Sequence, residues 1–314
     1  MGELMAFHKA RMIEVKADDA GQRLDNFLMR ILKNIPKGRI YQMVRKGEVR
    51  INKGRCKVSD RIAAGDFVRI PPVTLPDEKT VEVNFRAQDE LKQAILYEDD
   101  ALMVLNKPSG IAVHGGTGVN VGVIETLRQM YPEIAGRLEL VHRIDRDTSG
   151  CLIVAKKRSA LRAMHEIIRN NEMNKRYYAI VKGRWDPKVR KVDVPLKRSL
   201  RQSGERIVHV DKTGKQSLTR YRIHQQFKEV TWMDIKLETG RTHQIRVHSL
   251  HKGHPLVGDE KYGDPDYNRA MKAKGFKRLC LHAYQVEFNH PLTQKPIKVE
   301  APMDPIIVKA LNDL

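Results

Sequence analysis

The sequence has no apolar run long enough to span a membrane, only three cysteines, and few aromatic residues, which make up 6% of its 314 positions. A transmembrane helix needs about 20 consecutive apolar residues. Residues 1–20 also lack the basic and then apolar order of a secretory leader. Cys56, Cys151 and Cys280 show no close spacing, which argues against a disulfide framework or a cysteine-rich zinc site. These absences predict a cytoplasmic protein without a membrane anchor.

Acidic residues are scarce relative to basic ones, and the imbalance is local. The chain carries 58 Lys and Arg against 38 Asp and Glu, a formal net charge of +20. Residues 30–61 have a net charge of +9 and residues 156–222 of +14, whereas residues 81–155 are at −4. Two basic clusters of this density indicate a polyanionic partner. Nucleic acid is favoured over an anionic membrane because the sequence contains no basic amphipathic anchor.

The length allows about two domains at roughly 150 residues each. We expect an N-terminal extension over residues 1–20 and a small basic module over residues 21–72. Prolines that can continue neither a helix nor a strand ladder mark residues 73–90 as a linker. A larger domain then covers residues 91–314.

The small module follows a helix, helix, hairpin order. Residues 22–35 place apolar side chains at helical spacing, and Pro36 separates them from a second short helix. Alternation in residues 49–51 and 66–70, with a turn at residues 52–54, predicts a small twisted sheet. The cations expected on the side away from the core are Lys37, Arg39, Arg45, Lys46, Arg50, Lys53 and Arg55.

This module resembles the S4 RNA-binding domain, which has an αL-type fold. The resemblance rests on Gly21-Gln-Arg-Leu-Asp-Asn-Phe-Leu, Lys37-Gly-Arg-Ile and Arg45-Lys-Gly-Glu-Val-Arg-Ile-Asn52, and it covers residues 18–72. It implies that the seven cations bind RNA. The alternative is a basic helical cap on the next domain that binds nothing.

The larger domain alternates short strands with few helices. Residues 95–97 and 101–105 are short apolar runs, and residues 151–155 are a candidate buried strand. Ser159 is placed to cap a helix after that strand. Further strands are predicted at residues 177–181, 219–223, 230–237 and 284–288. Sequential strands without regular helical crossovers predict an α+β domain, with a mixed, largely antiparallel sheet flanked by helices.

Two segments carry side chains suited to chemistry. His142-Arg-Ile-Asp-Arg-Asp-Thr-Ser-Gly150 interleaves aspartates with arginines directly before a buried strand. A carboxylate beside a guanidinium stays ionised, which suits a nucleophile or base, although a structural ion-pair cluster would use the same residues. Thr239-Gly-Arg-Thr-His-Gln-Ile-Arg-Val-His248 offers arginines to pair with a buried carboxylate. The histidines of this segment, together with His251 and His254, are also candidate ligands of a metal ion, but their spacing does not specify which of them would bind it.

Other catalytic fingerprints are missing. The sequence contains no Gly-x-Ser-x-Gly elbow, which argues against a serine hydrolase of that type. Gly115-Gly-Thr-Gly118 has neither the P-loop pattern nor the dinucleotide-binding spacing, so these glycines are expected to shape a loop.

The segments over residues 142–150 and 239–248 are accompanied by two others, Asn106-Lys-Pro-Ser-Gly110 and Lys175-Arg-Tyr-Tyr-Ala-Ile-Val-Lys-Gly183. These four motifs occur in the order and spacing of the RluA-type pseudouridine synthases. The resemblance runs from about residue 91 to the end of the chain. It implies isomerisation of uridine to pseudouridine in 23S ribosomal RNA, with no cofactor or metal. The partner of the protein would be that RNA or a large-subunit assembly intermediate, and we expect a monomer.

The resemblance also implies roles for individual residues. The catalytic carboxylate of the family corresponds to Asp145. The aromatic residue that stacks on the base corresponds to Tyr177, and the arginine that pairs with the carboxylate corresponds to Arg246. Arg143 is implied to help hold the flipped-out nucleotide, and Asp147 is left as a structural neighbour. Two other interpretations stay open at this point, a non-catalytic RNA-binding assembly factor and an enzyme that removes a base with the same carboxylate.

Overall fold

The computed structural model describes residues 6–7, 9–32, 35–74, 85–115, 121–200 and 205–314. The chain forms two compact units, residues 1–82 and residues 83–314, and each is described by itself. Residues 75–84 of the predicted linker and residues 116–118 of the predicted glycine loop lie outside the described residues.

The first unit combines short strands with two helices in its described part. Its elements are β1 (Ala6–Phe7), β2 (Arg11–Glu14), a 3-10 turn (Ala17–Asp19), α1 (Leu24–Ile31), α2 (Lys37–Arg45), β3 (Arg50–Ile51), β4 (Gly54–Arg55), β5 (Phe67–Ile70) and β6 (Val73–Thr74). Strands β2, β5, β3 and β4 form an antiparallel sheet in that order, and β1 pairs with β6. Strand β2 therefore brings part of the predicted extension into the sheet of the basic module.

The apolar faces of the two helices form the core of the first unit. Leu28 of α1 and Ile40 of α2 pack with Val68 of β5, and all three are fully buried. Helix α1 ends at Ile31 rather than at the predicted Ile35, because the backbone already leaves helical geometry at Leu32, with φ −95° and ψ 55°. The charged faces of both helices are left on the surface.

A buried carboxylate fixes α1 against α2. Asp25 accepts hydrogen bonds from Arg23 at 2.8 Å and from the Tyr41 hydroxyl at 2.8 Å. The hydrogen bond from Arg23 is the largest cause that lowers the pKa of Asp25, to about 2, against the opposing effect of its burial. Asp25 is therefore a structural anion within a basic module.

The second unit is built on one large sheet. Its elements are α3 (Phe85–Gln93), β7 (Ile95–Glu98), β8 (Leu102–Lys107), α4 (Val123–Met130), β9 (Glu139–Leu140), β10 (Ser149–Ala155), α5 (Arg158–Arg169), β11 (Asn174–Lys182), β12 (Lys191–Asp193), β13 (Leu196–Leu200), β14 (Arg206–Val210), β15 (Leu218–Gln226), β16 (Val230–Leu237), α6 (Gln244–His251), α7 (Pro265–Ala273), β17 (Leu281–Asn289), β18 (Pro296–Glu300) and α8 (Pro305–Asn312). The strand order is β12-β15-β16-β11-β17-β10-β8-β7, with β18 on β17 and β9 on β10, while β13 and β14 form a separate hairpin.

The pairings confirm the predicted α+β class with a mixed, largely antiparallel sheet. In this sheet the β10–β17 pairing is parallel, and the other pairings between described strands are antiparallel. Helices cover both faces: Ala179 of β11 packs in a cluster with Met164 of α5, whereas the next residue, Ile180, packs with Ile307 of α8. This alternation is the period of two that a strand imposes.

Two details of the second unit were not predicted from the sequence. Ser159 does not cap α5, because the helix already begins at Arg158 and Lys157 occupies the capping position. At the start of β10, Gly150 has φ +106°, and a Cβ there would lie 2.2 Å from the Ala283 carbonyl oxygen of β17. The parallel pairing therefore requires glycine at this position.

Candidate active site

In the second unit, the segments over residues 142–150 and 239–248 both line a cavity of about 600 Å³. Its lining includes residues from 141–148, from 165–177 and from 237–246. All four site residues predicted in this unit, Arg143, Asp145, Tyr177 and Arg246, line it. The structure thus places the aspartate segment and the histidine–arginine segment, about 100 positions apart in the chain, around one space.

The loop that carries Asp145 is held from behind by a buried lysine. Lys107 is fully buried, and its ammonium donates to the carbonyl oxygens of Pro108 at 2.6 Å, Ile111 at 2.8 Å and Arg146 at 2.8 Å. Burial lowers the pKa of Lys107 to about 7, and the charge of Asp145 is among those that oppose this shift. No role was predicted for Lys107, although a lysine that ends an otherwise apolar strand is a signal that could have found it.

The rest of the Asn106–Gly110 segment continues this support. The Gly110 amide donates to the Arg146 carbonyl at 2.9 Å, and the Ser109 hydroxyl donates to the Asp147 carbonyl at 2.6 Å. The side chain of Asp147 is partly exposed and accepts a hydrogen bond from Arg146 Nε at 3.0 Å. Two segments far apart in the sequence therefore fix the backbone on the C-terminal side of Asp145.

Arg246 lies between two carboxylates at the start of α6. Its Nε and Nη2 donate to Asp259 at 2.7 and 2.8 Å, and its Nη1 donates to Asp145 Oδ2 at 3.3 Å. Burial opposes the charge of Arg246, but its bonds with Asp259 and the charge of Asp145 raise its pKa further above the ordinary value. The bidentate pair with Asp259 fixes the guanidinium plane and leaves one N–H for Asp145.

Asp259 was not predicted as a site residue. It is fully buried, and its Oδ1 also accepts from the amides of Lys261 and Tyr262 at 3.0 Å each. Asp259 therefore serves as the anchor of Arg246.

His243 adds a polar group beside Asp145. Its Nε2 lies 3.7 Å from Asp145 Oδ2, and its Nδ1 lies 2.7 Å from the Tyr262 hydroxyl oxygen. That oxygen accepts from the Val208 amide at 3.0 Å, which leaves the hydroxyl hydrogen for Nδ1. Burial lowers the pKa of His243, against the charge of Asp145. A neutral ring thus presents its Nε2 hydrogen toward the carboxylate.

Tyr177 lies at an irregularity of the sheet. The register between β11 and β17 shifts between Arg176 and Tyr178, which is the position where a bulge redirects a side chain. Burial and the charge of Asp145 raise the pKa of Tyr177 above its ordinary value, so its phenol is protonated. The side chain of Arg143 is exposed at the cavity rim and makes no hydrogen bond or ion pair with any described residue.

The histidines that raised a metal site make structural contacts. His248 is fully buried between the Thr219 hydroxyl, 2.9 Å from Nδ1, and the Val194 carbonyl, 3.1 Å from Nε2. His254 Nδ1 lies 2.8 Å from a carbonyl oxygen of β11. Across the described ranges, no three His, Cys, Asp or Glu side chains are grouped so that they could hold a metal ion.

The first unit presents the predicted RNA-binding cations as a surface. The seven side chains named above are all exposed. Arg39 lies 3.6 Å from Glu48, and Arg50 donates to the Gly47 carbonyl at 3.2 Å. Arg50 and Lys53, with Arg69, line a hollow of about 340 Å³ in this unit. Most of the cluster's charge is thus available to a ligand.

None of the helices in the described part of the chain combines the length and the apolar character that a membrane crossing requires.

Comparison with known proteins gives the class. Residues 101–251 match the family model of RNA pseudouridylate synthases, and residues 22–68 match the S4 domain. The chain belongs to the RNA pseudouridylate synthase family and is an isomerase with an S4 RNA-binding domain, as the sequence motifs predicted. Its substrate is RNA.

The particular relatives are the ribosomal large subunit pseudouridine synthases C. The chain is 50% identical over 296 residues to that of Yersinia pestis, covering 94% of this chain and 92% of the relative. It is 49% identical over 308 residues to that of Escherichia coli K12, covering 97% and 96%. Among solved structures, human RNA pseudouridylate synthase domain containing 1 is 25% identical, with a TM-score of 0.57 over 72% of this chain and 87% of that one.

Proposed function

We propose that this enzyme converts specific uridines of 23S ribosomal RNA, free or in a large-subunit assembly intermediate, to pseudouridine. Asp145 would be the catalytic carboxylate. The hydrogen bond between Arg246 and Asp145 carries this proposal, because it pairs a carboxylate with a guanidinium inside a cavity, which is the arrangement the reaction needs. The names of the large-subunit relatives support the choice of RNA.

The reaction makes limited demands on the protein. The bond between N1 of uracil and C1′ of ribose breaks, the base turns, and C5 joins C1′. C5 gives up its proton to solvent and N1 takes one up, so the composition and the oxidation state of the nucleotide do not change. Asp145 would act as a nucleophile at C1′ or as a base that removes the C2′ proton, and both routes start from the ionised carboxylate. Arg246 stabilises that charge and orients it, while Asp259 holds Arg246 in place.

Two further residues would hold the nucleotide. Extruding a uridine from folded RNA costs a few kcal/mol, which contacts elsewhere must offset. The ring of Tyr177 would stack on the detached uracil and keep it from escaping, and Arg143, exposed at the rim, would contact the displaced strand.

Two variants of Tyr177 distinguish a role of its ring in stacking from a role of its hydroxyl group. We expect Tyr177→Phe to keep pseudouridine formation within about tenfold of the wild type, and Tyr177→Ala to lose about 10- to 100-fold, since stacking on a base contributes about 1–3 kcal/mol. Single-turnover rates on a 23S fragment measure both. Equal losses in the two variants would show that the hydroxyl group, not the ring face, is what the reaction needs.

The function itself is tested by mapping pseudouridines. We expect specific positions of 23S RNA to carry pseudouridine only when this protein is present, with the RNA mass unchanged and no uracil released. Release of free uracil would instead identify an enzyme that removes bases, and unmodified RNA would refute the proposal.

The S4 surface should govern affinity rather than chemistry. Lys46→Gln with Lys53→Gln is expected to weaken RNA binding and to reduce the slope of log K against log salt by about 0.7 to 0.9 per lost phosphate contact. Lys9→Gln with Lys16→Gln is the matched control, because both lysines are exposed in the same unit but lie outside residues 30–61. Equal salt slopes for the two double variants would contradict an RNA-binding role of this cluster.

A further inference from the structure

Lys175 is a cation of the active-site cavity without a partner of its own. It is half-buried on β11, two residues before Tyr177, and both side chains line the cavity. Its ammonium makes no hydrogen bond or ion pair with any described residue, whereas Lys182 at the other end of β11 pairs with Asp264 at 2.7 Å. A partly desolvated charge without a partner costs free energy, which an anionic ligand would recover.

The two carboxylates that line the cavity are already engaged. Asp145 accepts a hydrogen bond from Arg246. Glu238 accepts from Arg220 at 2.6 Å and lies 3.5 Å from Lys236. Neither carboxylate pairs with Lys175, and neither does Glu172, which lines a smaller neighbouring hollow with it. Among the described residues around Lys175 no anion is paired with it, so we consider the substrate as the source of one.

The other cationic groups around the cavity differ from Lys175. Arg143, Arg169 and Arg241 are exposed at the rim, where RNA phosphates would pass. The histidines of the lining are His142, His165 and His243. Burial first, and then the charge of Lys175, lower the pKa of His142 well below its ordinary value, so this ring beside Lys175 is neutral. Lys175 is thus the charged amine on the side of the cavity that Tyr177 forms.

The reaction itself creates an anion in this place, an argument that rests on the proposed function. When the N1–C1′ bond breaks, both electrons stay on the uracil, which becomes negatively charged. Asp145 loses its charge in the same step, either by forming an ester at C1′ or by taking the C2′ proton. One negative charge therefore moves from the Arg246 side of the cavity to the ring. Joining C5 to C1′, with transfer of the C5 proton to N1 through solvent, completes the isomerisation without any co-reactant.

We propose that Lys175 is a further catalytic residue, whose ammonium contacts the detached uracil and stabilises the negative charge that the ring carries before it rejoins the ribose. The position on the same strand as the stacking tyrosine provides the contact. A fixed cation in a poorly solvated cavity is most effective where charge develops during the reaction.

The first experiment compares three variants of the full-length protein on a 23S RNA fragment. Lys175→Gln is expected to lower kcat about 100-fold, the loss typical of removing one donor to a developing anion, with the RNA dissociation constant within about twofold of the wild type. Lys175→Arg keeps the charge and should retain activity within about tenfold. Lys182→Gln makes the same change on the same strand outside the cavity and should match the wild type.

The second experiment uses pH. Burial lowers the pKa of Lys175, and a lysine loses its charge as pH rises through its pKa. The wild-type rate should therefore fall at alkaline pH, whereas Lys175→Arg should stay active there because a guanidinium does not lose its proton. His142 and His243 have lowered pKa values and change charge on the acidic side. A fall caused by Tyr177, or by loss of the charge of Lys107 behind the Asp145 loop, would persist in the arginine variant.

The outcomes separate this inference from the proposed function. A wild-type protein that forms no pseudouridine would refute both. With an active wild type, a Lys175→Gln variant of normal kcat would overturn the inference alone, and so would weaker RNA binding at unchanged kcat, which would assign Lys175 to a phosphate. If the glutamine variant fails to fold, the pH profile of Lys175→Arg decides, since an alkaline fall identical to the wild type would also overturn it.

Discussion

Asp145→Asn is expected to reduce pseudouridine formation by about 10³-fold or more while RNA affinity stays within a few-fold of the wild type. Asparagine has nearly the same shape and can still accept the Arg246 hydrogen bond that lies at 3.3 Å. It can neither attack C1′ nor take up the C2′ proton, and loss of a positioned base or nucleophile has effects of this size. Release of tritium from C5-labelled uridine measures the turnover.

The matched control for this variant is Asp147→Asn on the same loop. Asp147 is partly exposed and bonds with Arg146, so its neutralisation should leave most of the activity. Clear turnover by the Asp145 variant, or equal losses in the two variants, would remove Asp145 from the role of catalytic carboxylate. RNA binding measured on the same preparations separates chemistry from folding.

Arg246→Gln should both inactivate and destabilise the protein. Glutamine cannot replace the bidentate pair, so the fully buried carboxylate of Asp259 would lose two charge-assisted bonds at 2.7 and 2.8 Å. Removal of one partner from a buried ion pair costs about 3–5 kcal/mol. The midpoint of urea unfolding should fall accordingly, and pseudouridine formation should be lost with it.

A double variant tests the physical reason for the loss of stability in Arg246→Gln. If the penalty arises from an unpaired buried carboxylate, Asp259→Asn combined with Arg246→Gln should cost less than the sum of the two single changes. Additive costs would show instead that each residue stabilises the fold through separate contacts. Arg241→Gln is a control on the neighbouring arginine, which is exposed and donates to the Gln216 carbonyl.

Local patterns predicted much of the fold because the elements concerned have strong periodicity. The helices around Leu28 and Ile40 and the strands over residues 177–181 and 230–237 appear where the spacing of apolar residues placed them. Their ends were less predictable, because α1 leaves helical geometry at Leu32, before Ile35, and α5 already begins at Arg158, before Ser159. The spacing of apolar residues therefore predicts where helices and strands lie better than single capping residues predict where they end.

The site was predictable in part. Motif order brought Asp145, Tyr177 and Arg246 into one prediction, and the structure places them around one cavity. Asp259 and Lys107 were not found, because their importance depends on partners that reach them through the tertiary fold. A carboxylate 13 positions after Arg246 has no periodic relation to it, and a bond from lysine to a carbonyl 39 positions away leaves no local pattern.

The bond between Asp145 and Arg246 joins residues 101 positions apart, and its anchor Asp259 lies further along the chain. Contacts of such long range form late in folding, because a large loop must close before they contribute. During synthesis the S4 unit emerges first and can fold as a separate unit. We therefore expect the surface of the first unit to form before the bond between Asp145 and Arg246, so that isomerase activity should recover late during refolding.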